Sequence, residues 1–274
     1  MGKTRVSIYI DEEVISRVDK EIDNSIIKSR SEAIEFIIKR HLSEKKTCVI
    51  LAGGPSENLL IKGKDIYRPL VEIKGKTLIK HSIEQAKAGG YNYILIIGSK
   101  KVLSAIYSNL GDGKDMQVEI EYLEEKEHLG SGKTLALAKD KIKSTFLFLP
   151  SDHYFEKLDI KKIEEYHKLN KGVATLVVYS GTTNEWAKSS IVDLEGNKIK
   201  IYEEKPKNVK THLTALMTGI AEPEIFDYIP SGKINWSLQE NIFTELAKKE
   251  LLIGYIFSGK WKNIHDKHDL VNLK

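Results

Sequence analysis

Cysteine is nearly absent from this 274-residue sequence, in which Cys48 stands alone. No intrachain disulfide can form, so the fold must rest on its core, and a cytoplasmic setting fits. Long apolar runs are missing too. No stretch of about 18 such residues occurs, so no membrane-spanning helix is expected. The opening Met1-Gly2-Lys3-Thr4-Arg5 is followed by no apolar signal region. Nor does one sign of charge dominate. The 43 basic and 39 acidic residues leave a formal charge of +4, too little by itself to argue for nucleic acid. What remains is an ordinary apolar content of 41% and enough length for one large domain or two unequal ones.

The most telling stretch is Cys48-Val49-Ile50-Leu51-Ala52-Gly53-Gly54. It is too short for an ordinary helix and has no alternation, so it reads as a strand buried on both faces. Two glycines at its C-terminal end allow a sharp turn and a close approach of backbone to a ligand. In a doubly wound sheet this is where phosphates and nucleotides bind.

Ahead of this strand, Arg5-Val6-Ser7-Ile8-Tyr9-Ile10 alternates strictly, with Val6, Ile8 and Ile10 on one side and Arg5, Ser7 and Tyr9 on the other. Asp11 reads as a helix N-cap, and Val14, Val18 and Ile22 give the helix one apolar face. Ser29 or Ser31 reads as the cap of a second helix carrying Ile34, Ile37, Ile38, His41 and Leu42 on one face. A lone strand has no partner for its backbone groups, whereas two copies pairing antiparallel would satisfy them and merge the helices into one core.

This strand-helix-helix pattern over residues 3–44 resembles the ribbon-helix-helix DNA-binding family of the Arc/MetJ type. The resemblance implies a homodimer whose two-stranded ribbon lies in the DNA major groove, with Arg5, Ser7 and Tyr9 facing base edges. It also implies a DNA phosphate at the start of the second helix, beside Ser29, Arg30 and Ser31. The segment to residue 46 carries 10 basic and 9 acidic residues, so it is not a strongly basic domain. A dimerisation arm that touches no DNA is the competing reading.

From residue 47 onward, buried strands alternate with amphipathic helices. Strands are expected at Tyr93–Gly98, Val118–Tyr122 and Thr145–Leu149, and helices at Leu78–Ala86 and about Gly132–Lys143. Gly130-Ser131-Gly132-Lys133-Thr134 looks like the end of a Walker A loop, but the loop's first glycine is replaced by Glu127, whose charge would repel phosphates. The ordered landmarks instead resemble the sugar-phosphate nucleotidyltransferase (nucleotide-sugar pyrophosphorylase) family. They are Leu51-Ala52-Gly53-Gly54, Arg68-Pro69-Leu70, Leu129-Gly130-Ser131-Gly132, Pro150-Ser151-Asp152-His153, Glu204-Lys205-Pro206, Thr218-Gly219-Ile220 and Trp261-Lys262-Asn263.

That resemblance implies a nucleotide loop at Ala52, Gly53 and Gly54, and base or sugar contacts from Gly130, Ser131 and Gly219. It implies that Lys205 meets a sugar phosphate, that Arg68 and Asp152 carry the chemistry, and that Asp152 and Asn263 hold Mg²⁺ if the site is catalytic. The sequence also departs from the family. The G-x-G-T-R segment reads Gly54-Pro55-Ser56-Glu57-Asn58, Arg68 replaces a lysine, and Asn263 replaces the second metal-binding aspartate. Pro55 removes a backbone donor and Glu57 would repel a triphosphate.

The expected protein is therefore α/β. A dimeric ribbon-helix-helix domain (1–46) precedes a Rossmann-like three-layer nucleotidyltransferase domain (47–274) built on a mostly parallel sheet. The function expected is a cytoplasmic transcriptional regulator that binds DNA through one domain and a nucleotide, nucleotide sugar or sugar phosphate through the other, with catalysis weak or lost. The alternative is an active sugar-phosphate nucleotidyltransferase that regulates its own gene. Neither has a membrane partner; both are homodimers or higher homo-oligomers.

Overall fold

The computed structural model describes residues 6–22, 27–43, 45–61, 63, 65–180, 189–207, 211, 213–266 and 269. The chain divides into two compact units, Met1–Lys45 and Lys46–Lys274.

In the first unit, α1 (Glu12–Asp19) and α2 (Arg30–Ser43) enclose a small core of Val18, Ile27 and Ala33 with Ile22 and Ile34 packed against it. Ser29 caps α2, accepting the Glu32 N–H at 3.3 Å, while the Glu32 carboxylate accepts the Lys28 N–H at 2.7 Å. Asp11 stands at the N-cap position of α1 but makes no side-chain cap bond. Residues 6–10 form no strand in the single chain. A ribbon needs a second strand to pair with, and Val6, Ile8 and Tyr9 lie exposed. Phe36, Ile37 and Ile38 on α2 are exposed as well.

The second unit opens with β1 (Thr47–Ala52), followed by the short pair β2 (Glu72–Ile73) and β3 (Lys76–Thr77). Next come α3 (Leu78–Ala88), β4 (Tyr93–Gly98), α4 (Lys100–Leu110), β5 (Glu119–Glu124) and α5 (Ser131–Ala136). Then follow β6 (Phe146–Pro150), β7 (His153–Phe155), α6 (Ile160–Asn170), β8 (Ala174–Tyr179), β9 (Ser190–Glu195) and β10 (Lys198–Glu204). The last elements are β11 (Thr214–Ala221), a π-helical turn (Leu238–Phe243) running into α7 (Thr244–Lys248), β12 (Leu252–Phe257) and β13 (Trp261–Asn263).

Nine strands make one sheet in the order β5-β4-β1-β6-β11-β8-β12-β10-β9. The half from β5 to β6 is parallel, as alternating strands and crossover helices require. In the other half β11 enters antiparallel between β6 and β8, β12 runs parallel to β8, and β9 and β10 form a hairpin. Only β10 and β11 therefore run against the other strands, and the sheet is mixed but mostly parallel. The helix expected over 132–143 also breaks after Ala136 into a 3₁₀ turn at Lys139–Lys141.

β1 lies in the middle of the parallel half and is buried at all six positions. Cys48, Ile50 and Ala52 face one core, shared with Ile83 of α3, Ile106 of α4 and Ile163 of α6. Val49 and Leu51 face the other, shared with Leu135 of α5, Phe243 and Leu246. Burial keeps the Cys48 thiol protonated by raising its pKa, so it behaves as a small apolar side chain. The start of the strand is fixed by charge. Glu164 on α6 accepts from Lys46 at 2.8 Å, from Lys168 at 2.7 Å and from Tyr91 at 3.3 Å.

Two outcomes follow for stability. Ile50→Ala should cost about 2–5 kcal/mol in denaturant unfolding, because the cavity it leaves is closed off on every side. Burial alone would raise the Glu164 pKa, but Lys168 and Lys46 outweigh it and hold the carboxylate below its ordinary value. Its stabilisation is therefore present at neutral pH and lost as pH falls through the lowered value. Unfolding followed across pH should show a shallower acid limb in Glu164→Gln than in the wild type.

Candidate functional site

The site lies where β1 and β6, parallel neighbours, both end. In such sheets the carboxyl ends of adjacent strands open a crevice. The loop after β1 contributes Gly53 and Gly54, and the loop after β6 contributes Ser151 and Asp152. Gly54 has φ +91°, and a Cβ on Gly53 would meet Thr134 at 2.7 Å, so each glycine is required for a different reason.

Two cavities open along this crevice. The first, about 150 Å³, is lined by Gly53, Gly54, Glu125, His128, Gly130, Ser131 and Met217. Its organising group is the buried Glu125 carboxylate. The Gly54 N–H donates to Glu125 Oε2 at 2.6 Å, His128 Nδ1 lies 2.9 Å from the same oxygen, and the Thr134 hydroxyl donates to Oε1. One acid thus joins the loop after β1, the residues after β5 and helix α5. The Gly130 turn (φ +91°) packs so closely on Asn235 and Trp236 that a Cβ would come within 2.7 Å of them. Ser131 donates to Gln239 at 2.9 Å and accepts the Leu238 N–H, also at 2.9 Å.

The second cavity, about 200 Å³, is lined by Asp152, His153, Glu204, Thr214, Met217, Gln239, Trp261 and Asn263. β7 and β13 pair so that Asn263 lies opposite His153 and Trp261 opposite Phe155. Burial pushes the His153 imidazole down to about 4, so it is neutral at pH 7. Among the described residues, His153 Nδ1, Trp261 Nε1, Asn263 Oδ1 and the Thr214 hydroxyl are buried without a hydrogen-bond partner. A buried polar group left unpaired costs about 1–3 kcal/mol, so such a cluster suits a polar ligand. Arg68, held on a 3₁₀ turn at Arg68–Leu70, places Nη1 3.2 Å from Asp152 Oδ2.

The structure thus gathers Gly53, Gly54, Gly130 and Ser131 round one cavity and Asp152 and Asn263 at the other, while Arg68 touches Asp152 but lines neither cavity. Three expected residues lie elsewhere. Ala52 is buried as the last residue of β1, paired with Gly98, and lines neither cavity. Gly219 is inside β11, where a Cβ would meet the Thr175 carbonyl oxygen at 2.1 Å; its role is close strand packing. Lys205 has φ +49° and a side chain 63% exposed, 3.7 Å from Glu204. Glu204, its neighbour, lines the second cavity instead and accepts from Ser190.

Glu57 sits exposed on the 3₁₀ turn Ser56–Leu59. Its own backbone N–H, the Ser56 hydroxyl and the nearby Lys101 and His128 charges hold its carboxyl below the usual range. Glu125, His128, Met217 and Thr214 were not singled out in the sequence. Glu125 reads there as one more charge in Glu124-Glu125-Lys126-Glu127, and only tertiary packing makes it a buried acceptor.

In the first unit, Arg30 makes a two-pronged ion pair with Asp19, each contact 2.8 Å, which ties the end of α1 to the start of α2. Ser7 and Tyr9 are exposed, Ser29 caps α2, and Ser31 follows in its first turn. Arg5 lies outside the described residues. No helix among the described residues is long and apolar enough to cross a membrane.

Comparison with known proteins agrees with this architecture. Residues 4–45 match the family described as ribbon-helix-helix protein, copG family, and residues 47–274 match the family described as nucleotidyl transferase. Among curated relatives, the bifunctional protein GlmU of Methanocaldococcus jannaschii is 27% identical over 81% of this chain and 52% of its own length. The probable mannose-1-phosphate guanylyltransferase 3 of Arabidopsis thaliana is 25% identical over 74% of this chain and 62% of its own. The chain therefore spans between about half and two thirds of the length of these relatives. A crystal structure described as a putative glucose-1-phosphate thymidylyltransferase from Bacillus anthracis in complex with a sucrose superposes with a TM-score of 0.74. Its identity is 23%, covering 82% of this chain and 92% of that one, which speaks for the fold. The chain belongs to the nucleotidyl transferase family and carries, ahead of that domain, a ribbon-helix-helix domain of the copG family.

Proposed function

We propose that this protein is a cytoplasmic, dimeric DNA-binding regulator whose nucleotidyltransferase domain binds a nucleotide sugar or a related sugar phosphate, with catalysis weak or lost. The observation that carries the reading is the contrast between the two ends of the crevice. The Asp152 end keeps a polar cavity whose buried donors and acceptors lack protein partners. The loop that would meet a triphosphate presents the Glu57 carboxylate and Asn58 where the family resemblance puts threonine and arginine. Its Gly54 N–H is already given to Glu125.

Nucleotidyl transfer places negative charge on a pyrophosphate leaving group, and removing one donor aimed at such charge costs about 10²–10³ in rate. Binding a finished nucleotide sugar makes no such demand. The Mg²⁺ implied for turnover would be held by Asp152, which lies 3.2 Å from Arg68, and by the Asn263 amide oxygen, which carries no charge and is buried without a hydrogen-bond partner. The alternative, an active sugar-phosphate nucleotidyltransferase, draws support from the contact between Arg68 and Asp152, the two groups the resemblance makes catalytic.

At the DNA end, the alternating side chains of residues 6–10, exposed from Val6 to Tyr9, suit a ribbon formed by two copies, with Arg5, Ser7 and Tyr9 on the base-reading side and Ser29 to Ser31 beside a phosphate. A ligand changes DNA affinity only by binding two arrangements of the dimer unequally.

Three outcomes test the proposal. Nucleotide sugars at about 100 times their Kd should stabilise the protein by about 2.7 kcal/mol, read as a rise in Tm, without releasing pyrophosphate. Turnover with any NTP and sugar 1-phosphate at ordinary enzyme rates would decide for the alternative. Restoring the loop with Ser56→Gly, Glu57→Thr and Asn58→Arg should raise pyrophosphate release; no gain would count against loss at this loop as the cause. Arg5→Ala with Ser7→Ala should weaken binding to the DNA upstream of its own gene by about 1–3 kcal/mol for each base-reading side chain removed, with the dimer still folded by circular dichroism.

A further inference from the structure

We propose that His128 meets the phosphates of the ligand at the Gly54 end of the crevice, taking the part of the arginine that the loop after β1 lacks, so that binding takes up a proton. The inference rests on the reading that the crevice takes a nucleotide sugar, and it concerns how the charge of that ligand is met.

The loop after β1 is where a sheet of this kind meets phosphates, yet here few of its groups can receive them. Pro55 has no N–H, the Gly54 N–H is given to Glu125 at 2.6 Å, and Asn58 is uncharged. Glu57 adds a negative charge. Positive charge has to come from neighbouring segments. Lys101, in the first turn of α4, and His128, which follows β5, both act on the Glu57 carboxyl and help to hold it below its usual range. His128 therefore stands within electrostatic reach of the loop, and it also lines the first cavity.

The imidazole is set up as a donor. The Glu125 side chain is only 3% exposed, and its two oxygens accept from the Gly54 N–H and the Thr134 hydroxyl. In its contact with His128, at 2.9 Å, Nδ1–H is therefore the donor. Such a bond sets which ring nitrogen keeps its proton, so Nε2 is left as the atom where a second proton is gained or lost. The His128 side chain is 37% exposed. With Nδ1 turned towards a buried carboxylate, the exposed edge of the ring is the one that carries Nε2. A proton gained there makes an imidazolium with a charge-assisted N–H for a phosphate oxygen. The charges round the ring are Glu125 beneath it, Glu57 from the loop and Lys101 from α4, while Glu127 on its own segment pairs with Lys233. A diphosphate brought among them favours the charged ring, as a nearby anion does for any imidazole.

The test uses the full-length protein with GDP-mannose and UDP-glucose, which carry no group of their own that titrates near neutrality. Affinities are measured by calorimetry at fixed MgCl₂ from about pH 6 to about pH 8, the range in which histidine changes charge. Affinity should fall about 10-fold across it, and heats taken in buffers of different protonation enthalpy should report proton uptake. His128→Gln, whose amide can still donate to Glu125, should bind at the acid end no better than the wild type at the alkaline end, with the pH slope and the proton uptake gone. His128→Arg, charged throughout, should bind equally at both ends; if His128→Gln melts early, this variant carries the comparison. Wild-type affinity that does not change with pH would overturn the proposal, as would a slope that survives in His128→Gln.

If neither nucleotide sugar binds at any pH, the reading of the ligand fails. Imidazole nitrogen NMR with inorganic pyrophosphate then decides the role of His128. A shift of its Nε2 signal, assigned by the loss of that signal in His128→Gln, supports the role, and the absence of a shift overturns it.

Discussion

The double burial of β1 is the constraint on which the second unit depends. Its side chains alternate between two cores, so neither layer of helices can shift without disturbing the strand between them. Because β1 pairs in parallel with both β4 and β6, its carboxyl end and that of β6 come level, and the loops after them face one another. The crevice exists because the strand cannot move. The same alternation leaves β1 no exposed position, so everything chemically active is displaced to its end, at Gly53 and Gly54.

The two ends of the crevice are governed by different electrostatics. At the Gly54 end one buried carboxylate accepts three hydrogen bonds and fixes the geometry of three segments. A carboxylate offers about four lone-pair sites, so little accepting capacity is left there for a ligand. At the Asp152 end the position is reversed. The acid is neutralised by Arg68, while uncharged donors and acceptors round it lack partners. The first end is stiff and largely satisfied within the protein. The second is polar, roomy and unsatisfied. A ligand would draw most of its specific polar contacts from the second.

What could be read from the sequence was whatever depends on neighbours along the chain. The run Cys48–Ala52, the glycines after it, the serine cap at Ser29 and the order of motifs are local patterns, and they carried the two-part architecture. Pairings made across the sheet could not be read in this way. Nothing in Thr214–Ala221 announces that it enters antiparallel between two parallel neighbours, and so the sheet is mixed. Glu125 is indistinguishable from its charged neighbours until α5 and the Gly54 loop close over it. Gly219 misled for the opposite reason. A glycine in a motif invites a ligand contact, but here it answers to the carbonyl of an adjacent strand. The ribbon at residues 6–10 needs a second copy of the chain, which no single-chain fold supplies.

Met217 is the one residue among those described that lines both cavities, and the Ser131–Gln239 hydrogen bond is a polar bridge between their walls. A methionine side chain is unbranched and adapts to what lies beside it, so it transmits strain poorly. Residues linked only through such a partition behave almost independently in free-energy cycles. The linings of the two cavities could therefore change separately in the course of evolution.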